Sequence, residues 1–304
     1  MFNKQKKVFS FFVALLLTME GVIVHADTII VSGYSYDEIG PHIILYNIDR
    51  DEYKKEYLNQ QSVKIKKLPN RYCIGTYNLE TLEPAPCKGK CSIPADSKIN
   101  NCKSCYDTTG FNPAFYNATT ISPQQKAYNA TPHIVYLAYF SPTRIKVGIA
   151  SQKRAPLRLL EQGALAAFII KTFPDAYQAR ALEEKISHSG HGIVEGVTTA
   201  TKIDMFCTQK YDPKIANETL QRYLKLLGLS PESSFIDLYP TYFYNNNYSF
   251  VHTDKSKAKS NEISGEAVGM LGDIVVIRKK DKFFPIDVFY PISLKQFISY
   301  QIAQ

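Results

Sequence analysis

Two short apolar runs, Ile134–Phe140 and Ile145–Ala150, lie four residues apart, joined by Ser141-Pro142-Thr143-Arg144. That spacing, with a proline in the connection, predicts an antiparallel β-hairpin. Beyond it apolar residues recur three and four apart, at Leu157, Leu160, Ala164, Ala167 and Phe168, which predicts a helix. A second helix is expected with Pro174 near its start and Ala179, Leu182 and Ile186 on one face. The core is therefore expected to be a hairpin with two helices laid on it. Its polar residues are Tyr136, Lys146, Arg158 and Glu183.

Those four residues carry a resemblance. The stretch resembles the GIY-YIG nuclease core, a hairpin bearing a GIY and a YIG triplet followed by an Arg helix and a Glu helix. Val135-Tyr136-Leu137 stands at the first triplet and Lys146-Val147-Gly148 at the second. Arg158 in R-L-L-E-Q matches the Arg helix, and Glu183 in A-L-E-E-K-I matches the Glu helix, with Glu184 one residue away. The chain is also similar, from about residue 30 onward, to an uncharacterised bacterial and archaeal group known only as a domain of unknown function. That group places a Cys-rich segment before such a core.

Phosphodiester hydrolysis needs an activated water, a divalent ion on the phosphate and a cation for developing charge. The resemblance implies Tyr136 as base or orienter, Arg158 as charge stabiliser and Glu183 as the sole ligand of Mg²⁺ or Mn²⁺. Lys146 departs from the pattern, because lysine holds a phosphate as a point charge and cannot replace a phenol that orients water. The usual terminal Asn is not identifiable either. Each residue also has a plainer reading. Tyr136 fits an ordinary strand aromatic, Arg158 a partner of Glu161 or Glu183, and Glu183–Glu184 a solvated helix face.

Five of the six cysteines fall between residues 73 and 105. Cys102-Lys-Ser-Cys105 is a CxxC knuckle with the reach for one tetrahedral ion. Cys73 and Cys87, each beside a turn former, complete a four-thiol set in which Cys91 is a spare or a substitute for Cys87. The related group has cysteine at these four places. A structural Zn²⁺ is the expectation, with disulfides, a redox CxxC or plain buried thiols as the alternatives.

The rest of the chain bounds the setting. Of 304 residues, 45% are hydrophobic and 21% charged, an ordinary globular balance, and the formal charge of +8 favours a polyanionic partner. Lys4, Lys6 and Lys7 before the apolar run Val8–Leu17 read as a secretory leader over residues 1–26. The rival reading starts translation at Met19 and puts the protein in the cytoplasm. No stable membrane span is expected. His188 and His191, three apart after the Glu helix, are weighed as a second metal pair, but Gly190 and Gly192 place them in a loop. Asp212-Pro213 is expected to open a helix ended by Gly228, and a β-meander from Glu266 to Phe289 is expected to close a small barrel.

The expected fold class is α+β. The divisions are a β-rich Cys/zinc module over 27–110, the GIY-YIG-like core over 131–200, and a helix plus β-meander over 201–304. The expected function is nucleic-acid binding, of DNA or RNA, on a degenerate nuclease-like core. An active metal-dependent endonuclease and a secreted, disulfide-bonded binding protein are the alternatives.

Overall fold

The structure is a computed structural model describing residues 28–287 apart from 59, 61, 67–70, 82, 95–96, 98, 113, 245–249 and 258–261. The leader over residues 1–26 and the end of the predicted last strand lie outside the described residues. Strands β1 (Ile29–Asp37), β2 (Gly40–Asn47) and β3 (Glu52–Tyr57) form an antiparallel meander. β4 (Ser62–Lys66) leaves it for a distant sheet. Four two-residue strands, β5 (Arg71–Tyr72), β6 (Thr76–Tyr77), β7 (Pro84–Ala85) and β8 (Ser92–Ile93), pair as β5–β8 and β6–β7 around the cysteines, and α1 (Lys103–Thr109) follows.

The Pro/Asn/Thr-rich link after α1 contains a helix, α2 (Pro123–Asn129). Ser122 caps it by accepting from the Gln125 N–H at 3.1 Å, and Pro123 takes the first turn, where no N–H is needed. β9 (His133–Ser141) and β10 (Arg144–Ser151) are the predicted hairpin, with Tyr136 opposite Gly148 and Ala138 opposite Lys146. α3 (Ala155–Glu161) begins on schedule but ends early, at the positive-φ Gly163. The helix expected to run on through Ala164, Ala167 and Phe168 is instead strand β11 (Ala166–Phe173), antiparallel to β9. A short continuous apolar run reads alike for a buried helix and a strand covered on both faces, and this strand has a neighbour on each side.

α4 (Ala176–Ser187) is capped by Asp175, α5 (Thr199–Thr208) by Thr198 and α6 (Pro213–Leu227) by Asp212. Gly228 in the left-handed region closes α6 as expected, with Leu220 and Leu224 buried. β12 (Ile236–Asp237) extends the central sheet to the order β10-β9-β11-β12. β13 (Glu262–Leu271), β14 (Ile274–Lys279) and β15 (Lys282–Asp287) do form a meander, but it recruits β4 into an open sheet of order β15-β14-β13-β4.

Three cores separate these layers, and period-two alternation assigns each strand residue to one of them. Val135, Leu137 and Tyr139 face α4 and α6. Ile134, Tyr136, Ala138 and Phe140 face the other way, toward α3, α5 and the β13–β15 sheet. That sheet turns its opposite face, with Ala267, Val275 and Ile277, onto the N-terminal meander. β9 is thus buried at every position. The architecture is α+β, and among the described residues no helix is long and apolar enough to cross a membrane.

Candidate functional site

The cysteine set is assembled by the two small ladders and α1. The ligand atoms of Cys73, Cys87, Cys102 and Cys105 all lie within 4.8 Å of one another, close enough to bind a metal ion such as zinc. A tetrahedral ion with bonds of about 2.3 Å sets its sulfurs roughly 3.8 Å apart, and the Cys87 and Cys102 sulfurs are 3.9 Å apart. The N–H groups of Gly75 and Cys102 donate to the Cys73 sulfur at 3.3 and 3.1 Å, bonds that favour a thiolate there. Burial pushes the Cys73 and Cys105 thiols up, while the Cys105 N–H holds Cys102 down, so the four do not ionise together without a cation. The donor set therefore fits a structural ion. All six cysteines are free, and Cys91 is half-buried outside the four. Arg71, buried, ties the following loop down by donating to the carbonyls of Pro94 and Ser97 at 2.6 and 2.9 Å.

The second feature is a cavity of about 490 Å³ on the Tyr136 face of the hairpin. Tyr136, Lys146, Arg158 and Glu183 all line it, brought together from β9, β10, α3 and α4. Register explains the first two: Lys146 opposite Ala138 and Gly148 opposite Tyr136 share one face. Gly148 leaves space that the phenol fills, since a Cβ there would stand 2.3 Å from the Tyr136 hydroxyl. Gly148→Ala is therefore expected to cost about 1–3 kcal/mol, because a tyrosine only 1% exposed cannot swing aside. Urea unfolding checks this against Gly196→Ala, where nothing lies within 4 Å.

Electrostatics distinguish the cavity from an ordinary surface dent. Lys146, 8% exposed, donates to the Glu195 carbonyl at 2.7 Å. Burial first, and Arg158 second, lower its pKa to about 8, against the pull of Glu183 and Glu195. Glu183 is pushed up by burial, opposed by Arg180. Tyr136 is pushed up by burial and by Glu183, with Arg158 and Gln162 acting the other way.

Of the ion pairs expected for Arg158, the one with Glu161 forms, while Glu183 takes Arg180 instead. Arg158 meets Glu161 only at 3.5 Å, because Arg154 holds that carboxylate at 2.8 and 2.6 Å. Glu183 pairs with Arg180 at 2.7 Å, and the same guanidinium reaches Glu195 at 3.1 Å. Arg180 also lies over the Tyr116 ring at 4.3 Å.

Arg154, Arg180, Glu195, Asn129 and the aromatic residues Phe111 and Tyr116 thus belong to the cavity although sequence reasoning did not place them there. The three-residue spacing of Arg180 and Glu183 on one helix was a usable signal. Four buried donors on cavity-lining residues, Tyr136 Oη, Arg154 Nε, Arg180 Nε and Asn129 Nδ2, have no hydrogen-bond acceptor among the described residues. His188, in contrast, caps α4 by donating from Nδ1 to the Glu184 carbonyl at 2.9 Å. It joins no group of metal-ligating side chains among the described residues.

A family model described as "Protein of unknown function (DUF2797)" matches residues 61–285, a span that holds both the cysteine set and the cavity. No curated protein and no solved structure matches the chain.

Proposed function

The chain belongs to the DUF2797 family, and since that description carries no activity we propose, from the cavity itself, that the protein binds nucleic acid through its phosphates. The observation that carries this reading is the gathering of four cationic side chains, Lys146, Arg154, Arg158 and Arg180, around one cavity. A phosphodiester brings anionic oxygens that accept from cationic head groups, and charge-assisted bonds of this kind are the strong ones. The net charge of +8 supports the same class of partner. In this reading the likeness to a GIY-YIG core is that of a binding site, because Lys146 holds a phosphate where a catalytic phenol would stand. The four thiols hold one Zn²⁺, which is structural because four thiolates leave no open position for a substrate.

The enzymatic reading keeps one favourable observation, a buried carboxylate, Glu183, in a cationic cavity. There Glu183 would hold Mg²⁺ or Mn²⁺ in place of the Arg180 head group, with Tyr136 and Arg158 beside the reacting phosphate. Both readings meet one experiment. Labelled DNA and RNA are titrated at several salt concentrations, and each is then incubated with Mn²⁺. Binding should weaken steeply with salt, log K falling by about 0.7–0.9 per phosphate neutralised, with the strands left intact. Binding that is absent at low salt or flat with salt removes the proposal. Cleavage by the wild type that Glu183→Gln abolishes would favour the nuclease.

A further inference from the structure

The cavity grades from polar depth to aromatic rim. At its floor, Tyr136 is 1% exposed and its hydroxyl has no acceptor among the described residues. At its mouth Phe111 is 41% and Tyr116 39% exposed, both from the link between α1 and α2. The Phe111 ring is braced edge-on by Tyr128 at 6.4 Å, and Tyr116 is backed by the Arg180 guanidinium. Each rim residue therefore presents an aromatic surface already held in position, at little further entropic cost. Exposed aromatics gathered beside a concave polar site mark a binding surface rather than a scatter of surface residues.

We infer that the cavity takes one unpaired nucleotide of a polynucleotide strand, its phosphate at the Lys146 and Arg158 head groups and its base stacked on the Phe111–Tyr116 rim. This rests on the nucleic-acid reading and adds the state of the strand to it. A duplex hides its bases and carries its phosphates on a rigid outer surface, so it cannot lower a phosphate to a cation as enclosed as Lys146 without extruding the nucleotide. A volume of about 490 Å³ lies in the range of pockets that enclose small ligands. A base has a π-face whatever its identity, so the rim discriminates paired from unpaired rather than one sequence from another.

Three labelled ligands of equal length test this: a single strand, the same strand with abasic residues, and a blunt duplex. Wild-type protein should bind the ordinary single strand on the order of tenfold more tightly than the other two, the contribution expected of one stacked base. Phe111→Ala should lose about fivefold or more on the ordinary strand and almost nothing on the abasic one. Wild type binding all three alike overturns the inference without relying on any variant. If Arg158→Ala then weakens all three, the phosphate reading stands and only the base is wrong. If Arg158→Ala changes none of them, the nucleic-acid reading itself fails at this cavity.

Discussion

Cys102→Ser is expected to strip the metal from the cysteine set and to lower the melting temperature by on the order of 10 °C. Binding to four thiolates is folding free energy for a segment that has little else, of a size around 10 kcal/mol in small zinc modules, of which part is retained through partial coordination. Between residues 71 and 109 the described ladders are two residues long, and the buried cluster there consists of Cys73, Cys87, Ile93 and Cys105. Little apolar surface is available there to replace a bound ion. Cys91→Ser is the control, since Cys91 lies outside the four. Elemental analysis and a melting curve of each variant decide it. Metal retained by Cys102→Ser, or lost equally by Cys91→Ser, would remove the assignment, as would two disulfides in the wild type.

The second large effect concerns Lys146. Its pKa of about 8 lies below the ordinary lysine value because the ammonium is buried and faces Arg158, with Glu183, Glu195 and Lys202 also acting on it. Between pH 8 and 10 the unfolded chain keeps the proton that the folded chain gives up. Lys146 therefore penalises folding fully below pH 8, and the penalty eases as pH rises through that window. Phosphate binding runs the opposite way, because it needs the charged form. Affinity for nucleic acid should hold up to about pH 8 and fall roughly tenfold by pH 9.5, the size expected of one charge-assisted hydrogen bond. Lys146→Met should lower affinity at pH 7 by 10- to 100-fold on the same grounds and flatten the pH profile. An unchanged pH profile in Lys146→Met would place the titrating group elsewhere.

The hairpin was legible because alternation in Ile134–Phe140 and Ile145–Ala150 specifies both pairing and face. From that register alone Tyr136 and Lys146 share the cavity side and Tyr139 the opposite core, as they do. The four cysteines were legible from the knuckle and from the group that the chain resembles. β11 was not, because Ala164–Phe168 offers helical spacing as well as strand burial, and only the ladder with β9 decides between them. The swap of β4 into the C-terminal sheet pairs residues about 200 positions apart, with no local signal. Glu195 and the aromatic rim come from segments without periodicity, so their place in the cavity depends on tertiary packing. Lys146, which departs from the resembled pattern, lines the cavity as a buried lysine with a lowered pKa.

Nucleic acid held by this cavity, rather than by general basicity, would depend on the cavity's own cations. The direct test is the salt dependence of single-strand binding by Lys146→Met/Arg158→Ala, set beside Lys54→Ala/Lys55→Ala on the exposed strand β3. Each pair removes two charges, so the net charge is the same in both variants. The cavity variant should lose at least 100-fold in affinity and about 1.4 in the slope of log K against log salt, two phosphates at roughly 0.7 each, while the β3 variant stays within about twofold of wild type at physiological salt, where a contact made only by exposed charge is largely screened. Equal losses in the two variants, or a greater loss in the β3 variant, would contradict the account.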